Sequence, residues 1–186
     1  MHWNKVTVIG VGLLGGSLGL ALRERRVASC VAGYVRRAAT VKDCKRVAAL
    51  DVVSRSLREA VQDADLIVLC TPIAQMSPLV DEMAAYLRPG AIVTDVGSVK
   101  NSVVGLVSPA INRAGGHFVG SHPMAGSEKT GVTAARGDLF VDAVCVVTPT
   151  AGSNRKAVKT VTELWTAVGA RVLRLSPSVH DELVSR

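Results

Sequence analysis

Three glycines near the start of the chain have a spacing that suits a phosphate-binding turn. They follow an apolar run at residues 5–9 and precede a segment with helical periodicity. In this pattern the first glycine permits a tight turn, the second lets the backbone approach a pyrophosphate, and the third allows a helix to pack closely on a strand. The spacing therefore predicts a dinucleotide site at the helix N-terminus. Its predicted cofactor contacts are Gly10, Gly12, Leu13, Leu14 and Gly15.

Two arginines follow the second predicted strand, at a position where an acidic residue would favour NAD. An acidic side chain there hydrogen-bonds the ribose hydroxyls of NAD, whereas Arg36 and Arg37 could clamp a 2′-phosphate. The sequence therefore predicts NADP in preference to NAD, with NAD still possible. The alternative is that both arginines are solvated loop residues.

A histidine lies in a stretch rich in glycine, serine and charge, at residues 120–137. Its weak periodicity predicts a loop, and a loop of this length inside a compact domain is usually functional. His122 precedes Pro123, and Glu128 follows in the same stretch. Because an imidazole in such a setting can act as a general base at neutral pH, we predict that His122 is catalytic.

The elements that must position these residues alternate along the chain. Strands are predicted at residues 5–9, 31–35, 52–53, 66–70, 91–96, 117–119, 143–147 and 171–175. Helices are predicted at residues 13–26, 38–50, 57–62, 76–87, 99–113 and 154–168. This alternation is typical of an α/β Rossmann-type fold, a doubly wound and mainly parallel sheet with helices on both faces. Ligands of such sheets bind beyond the carboxyl ends of the strands.

Composition argues against several classes of function. Of the 186 residues, 22 are Lys or Arg and 15 are Asp or Glu, but the basic residues are scattered and aromatics make up only 3%, so we expect no nucleic-acid binding. No apolar run approaches the ~20 residues of a membrane span, and no signal peptide is evident. The cysteines lack metal-ligand spacing. We therefore expect a cytoplasmic protein without a metal or a membrane anchor.

Two motifs give the chain its resemblance to a known family. They are D-V-G-S-V-K at residues 95–100 and G-S-H-P-M-A-G-S-E at residues 120–128, and the glycine turn, the C-T-P run at 70–72 and Trp165 support them. Over nearly its whole length the chain resembles the prephenate/arogenate dehydrogenase family of tyrosine biosynthesis. The resemblance implies NAD(P)-dependent oxidative decarboxylation of a small cyclohexadienyl carboxylate, prephenate or arogenate.

The resemblance also implies roles for individual residues. His122 would take the proton of the ring C4 hydroxyl while hydride leaves the same carbon for the nicotinamide. Ser98 would hydrogen-bond that hydroxyl or the histidine. The predicted substrate contacts are Glu128, Ser121 and Asp181. The further predicted cofactor contacts are Thr71, Pro72 and Gly97.

Structural roles remain open for some of these residues. Ser98 could instead cap a helix that begins at Val99, because serine is a favoured N-cap. Lys100 could be a surface residue of that helix's first turn. Glu128 could simply pair with Lys129 or Arg136.

The resemblance predicts two parts of unequal size. Residues 1–176 would form the NAD(P)-binding domain, and residues 177–186, with H-D at 180–181, would begin the family's helical second domain. That domain carries further substrate-binding residues and most of a dimer interface. We therefore expect a homodimer for a full-length protein and poor turnover by this chain alone.

Two rival functions share the glycine turn. The β-hydroxyacid dehydrogenases have a similar turn but use a catalytic lysine and lack the H-P-M-A-G run. A non-catalytic NAD(P)-sensing domain would keep the turn but would not need His122 and Ser98 beside the nicotinamide.

Overall fold

The main sheet contains six parallel strands, in a computed structural model that describes residues 2–185. The strands are β1 (Trp3–Ile9), β2 (Ala28–Tyr34), β3 (Val52–Ser54), β4 (Leu66–Leu69), β5 (Ile92–Asp95) and β6 (His117–Phe118). Their order is β3-β2-β1-β4-β5-β6, and every neighbouring pair is parallel. The winding reverses between β1 and β4, and sheets of this kind bind ligands beyond that point. The predicted Rossmann-type sheet is confirmed.

A second, smaller sheet follows the first in the chain. It contains β7 (Gly120–Pro123), β8 (Val144–Thr148) and β9 (Arg171–Arg174), with β7 antiparallel and β9 parallel to β8. The loop predicted over residues 120–137 is therefore wrong at its start, because His122 lies in a strand and pairs with Val146. A four-residue strand that contains glycine and proline is too short to show a period of two. Only its pairing with a distant segment reveals it.

The described part of the chain has seven α-helices, of which the first six lie between strands and the seventh follows the last strand. They are α1 (Leu13–Glu24), α2 (Ala38–Arg46), α3 (Leu57–Val61), α4 (Ile73–Met83), α5 (Asn101–Arg113), α6 (Arg155–Ala167) and α7 (Pro177–Val184). Helix α4 begins directly after Pro72, earlier than predicted. Helix α5 begins at Asn101, two residues later than predicted. Within residues 2–185, no helix has the length and apolar character that crossing a membrane requires.

The central strands are buried on both faces. Leu66 and Val68 of β4 pack with α1 and α6 in one core layer, whereas Ile67 and Leu69 pack with α3, α4 and α5 in the other. This double burial explains why β4 is a continuous apolar run. Aliphatic residues dominate both layers, and Trp165 is among the largest fully buried side chains.

Helix α7 is joined closely to the main domain. Pro177 occupies its first turn, and the Ser176 hydroxyl accepts a hydrogen bond from the Val179 N–H, so the helix has a defined start. It packs against α5 and β8. Of the predicted second-domain segment 177–186, residue 186 lies outside the described residues. The remainder contributes side chains to the site below.

Candidate active site

A cleft with two lobes runs along the carboxyl ends of the central strands. Each lobe has a volume of about 540 Å³, and both include Gly12, Thr71 and Pro72 in their walls. Residues that line only the first lobe include Gly10, Tyr34, Arg36, Arg37 and Asp43. Residues that line only the second lobe include Leu13, Leu14, Gly97, Ser98, Ala125 and Ser127.

The glycine turn has the geometry that an approaching pyrophosphate needs. Gly10 has a φ of +93°, which side chains rarely adopt, and a Cβ there would lie 2.6 Å from Cγ2 of Thr71. A Cβ on Gly15 would collide with the Gly10 carbonyl oxygen. A Cβ on Gly12 would meet nothing within 4 Å, so this glycine leaves open space in the cleft wall. Gly15 is buried beneath the turn and serves the packing of α1 on β1.

Two further groups fit a dinucleotide in this cleft. The first turn of α1 begins at Gly12 without a side-chain cap, so its N–H groups are available to an anion. The Thr71 hydroxyl is buried and has no hydrogen-bond partner among the described residues. An unpaired buried hydroxyl costs about 1–3 kcal/mol, and a ligand that bonds it would remove that cost.

Two arginines give the first lobe a positively charged edge. Arg36 and Arg37 are exposed and make no ion pair within residues 2–185. Asp43, the acidic residue in the same lobe, pairs instead with Arg46 at 3.0 Å. The guanidinium groups of Arg36 and Arg37 are therefore available to a ligand phosphate.

A second constellation, which we name the histidine corner, consists of His122, His180 and Asp181. Nδ1 of His122 lies 2.9 Å from Nε2 of His180, and Nδ1 of His180 lies 2.8 Å from Oδ1 of Asp181. The two rings meet edge to face with their centroids 5.1 Å apart. His180 is buried, whereas His122 is half-buried. Burial, together with the nearby His180 and Lys100, lowers the pKa of His122 to about 4, so the imidazole is neutral at neutral pH.

Asp181 also holds the start of α5. Its two carboxylate oxygens accept hydrogen bonds from the backbone N–H groups of Lys100 at 2.7 Å and Asn101 at 2.9 Å. Burial raises the pKa of Asp181, but these two N–H groups and His180 outweigh it, and the net pKa is lowered. The alternative role for Ser98 is therefore wrong, because a distant carboxylate caps this helix. Ser98 is instead exposed in the second lobe.

A buried ion pair between Asp95 and Lys100 connects β7, which carries His122, to the end of β5, which precedes Ser98. Lys100 and Asp95 are both fully buried, and the Lys100 ammonium donates hydrogen bonds to the Asp95 carboxylate and to the Ser121 carbonyl oxygen. Burial raises the pKa of Asp95, which Lys100 opposes. Asp95 also accepts from the backbone N–H of Gly97 at 2.8 Å and of Ser121 at 3.1 Å. The expected surface position of Lys100 is therefore wrong.

Ser121 cannot contact a substrate. Its side chain is fully buried, its hydroxyl donates to the Asp95 carbonyl oxygen at 2.6 Å, and it accepts from the indole N–H of Trp165 at 2.9 Å. The substrate-contact prediction for Ser121 is therefore wrong. Alternation along β7 explains this, because neighbouring residues of a strand point to opposite faces.

The remaining predicted residues are less constrained. Glu128 is exposed and pairs with neither Lys129 nor Arg136, and Arg136 pairs with Asp138 at 3.3 Å. Its role at a substrate remains a prediction. His122, Glu128 and Asp181 do not line either lobe, although Ala125 and Ser127, which follow His122 in the chain, line the second lobe. Between residues 2 and 185 no cluster of side chains is arranged to hold a metal ion.

The sequence missed His180, Asp95 and Lys100 as parts of the site. Asp95 and Lys100 lie within the D-V-G-S-V-K motif, so the motif pointed to both residues. The sequence did not show that they are buried and paired with each other. His180 could have been found only as the neighbour of Asp181. Its contact with His122 joins residues 58 positions apart.

Comparisons with known proteins agree with this architecture. The family described as "Prephenate dehydrogenase, nucleotide-binding domain" matches residues 18–174. The chain is 32% identical over 193 residues to a prephenate dehydrogenase of Bacillus subtilis (strain 168), covering 100% of this chain and 50% of that protein. It is 32% identical over 184 residues to a cyclohexadienyl dehydrogenase of Zymomonas mobilis, covering 98% and 62%. The chain thus spans less than two thirds of the length of either relative.

Solved structures give the same result. A prephenate dehydrogenase from Aquifex aeolicus, in complex with hydroxyphenyl propionate and NAD+, has a TM-score of 0.90 at 28% identity over 98% of this chain and 63% of its own. A Synechocystis arogenate dehydrogenase has a TM-score of 0.88 at 34% identity over 97% and 63%. A 3-hydroxyisobutyrate dehydrogenase from Mycobacterium tuberculosis, at 16% identity and a TM-score of 0.76 over 98% and 58%, shares the fold alone.

Proposed function

Because the chain belongs to the prephenate dehydrogenase family, as that family's nucleotide-binding domain, we propose that the protein carries out the oxidative decarboxylation of prephenate or arogenate. The observation that carries this proposal is the half-buried imidazole of His122 and its hydrogen bond to His180, and the lowered pKa of His122 is consistent with a neutral base. Nδ1 of His122 is hydrogen-bonded to His180. The buried Asp95–Lys100 pair connects the strand of His122 to the segment of Ser98, which lines the second lobe of a dinucleotide-sized cleft.

The cleft would hold the cofactor with its phosphates at the glycine turn. Gly12 leaves room for a pyrophosphate, and the N-terminus of α1 supplies N–H donors and the positive end of the helix dipole. Thr71 offers a hydroxyl that has no partner within residues 2–185 and that lies in the walls of both lobes. The adenosine end would lie in the first lobe, where Arg36 and Arg37 favour NADP over NAD because guanidinium groups bind phosphate bidentately.

Residues of the second lobe and the histidine corner would position the substrate for hydride transfer. When bound, a nicotinamide cofactor would supply the acceptor for the hydride that leaves ring C4 of the substrate. His122 takes the proton of the C4 hydroxyl, and Ser98 orients that hydroxyl by a hydrogen bond. The C–H and O–H bonds break and the C–O bond becomes double. Loss of CO₂ then leaves its electron pair to the ring, which becomes aromatic as the C=O turns into a phenolate, and the proton taken by His122 returns to that oxygen. The products are a phenol, CO₂ and the reduced cofactor.

A steady-state assay tests this function. The protein as its gene encodes it is incubated with prephenate or arogenate and with NAD⁺ or NADP⁺, and reduced cofactor is followed by its absorbance. We expect turnover of at least one substrate, with the lower KM for NADP⁺. Dinucleotide binding by calorimetry with no oxidation of either substrate would overturn the proposal and favour a sensing domain.

A further inference from the structure

We propose that His180 and Asp181 form a proton relay with His122, which fixes the tautomer of His122 and takes up the proton that His122 accepts. This inference rests on the proposed function of His122 as a base. It reassigns Asp181 from the predicted substrate contact to a positioning residue. The relay consists of two hydrogen bonds in series, of 2.9 Å and 2.8 Å.

The direction of the relay follows from the chemistry of its last member. An ionised carboxylate only accepts hydrogen bonds, so His180 must donate from Nδ1 to Asp181. A neutral His180 then has a lone pair on Nε2, which can only accept. His122 must therefore donate from Nδ1, and its own Nε2 carries a lone pair. Nε2 of His122 is the atom that a base needs, and the relay leaves it unprotonated.

Asp181 is held in the state that this direction requires. Its two oxygens accept from the backbone N–H groups of Lys100 and Asn101, at the positive end of the 13-residue helix α5. These contacts stabilise the anion and also fix its position. The cap of α5 and the orientation of His122 therefore depend on one carboxylate, which lies 81 residues from Lys100 in the chain.

The relay also compensates for the low basicity of the His122 imidazole. A half-buried imidazole beside His180 and Lys100 is a weak base, because a positive charge on it is poorly solvated and repelled. When Nε2 of His122 accepts the substrate's hydroxyl proton, the Nδ1 proton can pass to Nε2 of His180. His180 is then the imidazolium, directly hydrogen-bonded to Asp181. One proton has moved from substrate to His180, and His122 is neutral again. The reverse transfers return the proton to the phenolate oxygen that forms when CO₂ is lost.

Other groups near His122 do not supply this function. Its titratable neighbours are His180, Lys100, Asp181 and Cys145, the last accepting a hydrogen bond from the His122 backbone N–H. Lys100 bonds Asp95 and the Ser121 carbonyl oxygen, and burial raises the pKa of the Cys145 thiol, which leaves it protonated. Asp181 is therefore the anion that can balance a charge in the corner.

The tautomer is testable without any turnover. Imidazole ¹⁵N NMR of the wild-type protein, with the His122 signals assigned from a His122→Gln variant, is expected to show a protonated Nδ1 and a bare Nε2. In Asp181→Asn the amide can donate as well as accept, so the direction is no longer set and the Nε2-protonated form should appear. A wild-type His122 protonated on Nε2 would overturn the relay, even if the proposed reaction proved wrong.

Proton uptake is tested by kinetics. His180→Gln can accept the hydrogen bond from His122 but cannot take its proton, so we expect kcat to fall on the order of 10²-fold with the dinucleotide Kd and the substrate KM unchanged. The kcat of Asp181→Asn should fall by a similar factor, and thermal unfolding of this variant shows whether the start of α5 is still capped. Glu182→Gln, which removes the same charge from the same helix, is the control. Rates in His180→Gln equal to the control would overturn the uptake step.

Discussion

The glycine turn and the histidine corner are positioned by different kinds of contact. The glycine turn depends on backbone conformation and on steric room, since added Cβ atoms at Gly10 and Gly15 would collide with neighbouring atoms. The corner consists of side chains from β7 and α7 and of backbone N–H groups at the start of α5, and each of its hydrogen bonds needs a particular donor or acceptor. A cradle for a common cofactor thus needs little side-chain identity, whereas the proposed acid–base chemistry depends on it throughout.

The largest expected effect belongs to the corner. His122→Ala removes the proposed base, and we expect kcat to fall by about 10²- to 10⁴-fold, because that is the usual contribution of a positioned proton acceptor. Dinucleotide affinity, measured by calorimetry, should stay the same because the ring does not line either lobe of the cleft. His117→Ala, on β6, is the matched control. Retained activity in His122→Ala would show that the histidine corner does not supply the base for the reaction.

The buried pair that ties the corner together should dominate stability. Lys100→Met leaves Asp95 buried without its partner, and breaking a buried pair in this way costs about 3–5 kcal/mol. Lys159→Met removes an exposed lysine that pairs with the partly exposed Glu163 at 3.7 Å, for which we expect at most about 0.5 kcal/mol. Urea unfolding of both variants measures the difference. Equal losses would mean that the Asp95–Lys100 pair contributes no more than a surface contact.

Two glycine substitutions should separate packing from binding in the turn. Gly15→Ala forces a methyl group against the Gly10 carbonyl, and overpacking of this kind costs about 1–3 kcal/mol of unfolding free energy. Gly12→Ala adds a methyl group that meets no protein atom, so stability should be unchanged while dinucleotide Kd rises by roughly tenfold or more, about 1.4 kcal/mol. Calorimetry with unfolding curves checks both. Unchanged affinity in Gly12→Ala would place the pyrophosphate elsewhere.

A smaller effect is expected at the margin of the first lobe. Replacing Arg36 and Arg37 together by Ser removes two charge-assisted phosphate donors, each worth about 1.5–3 kcal/mol at most and less when exposed. NADP affinity should fall while NAD affinity is unchanged, because only NADP carries the 2′-phosphate. Arg46→Gln, which affects the pair with Asp43, is the control. If NADP and NAD weaken together, the two arginines do not select the cofactor.

A further comparison uses the pH dependence of stability, to which the histidine corner contributes. The pKa of His122 is lowered from 6.5 to about 4 in the folded protein. Between these values the unfolded chain binds a proton that the folded chain does not, so stability should fall as the pH is lowered through this window. Asp181, whose pKa is lowered below 3.8, should contribute stability that is lost only at still lower pH. Urea unfolding at several pH values, with His122→Gln as reference, should show a shallower slope in the variant.

The cofactor cleft was predictable to a large extent. The positions of Gly10, Gly12 and Gly15 in the turn follow from their spacing after an apolar run. Thr71, Pro72, Gly97 and Ser98 line the cleft, and their roles at a cofactor or substrate remain predictions. The same local analysis failed for Ser121, Lys100 and the cap of α5. In those cases a residue's environment depends on which distant segment packs against it.

The sequence by itself determined the parallel sheet, the glycine turn and the family, because apolar periodicity, backbone steric limits and short motifs act over a few consecutive residues. Only the tertiary structure decided that Lys100 is buried on Asp95, that Ser121 faces the core and that His180 joins His122 to Asp181. These contacts connect segments as far as 58 residues apart. Their geometry is set by the packing of α5, α7 and β7, which no local pattern encodes.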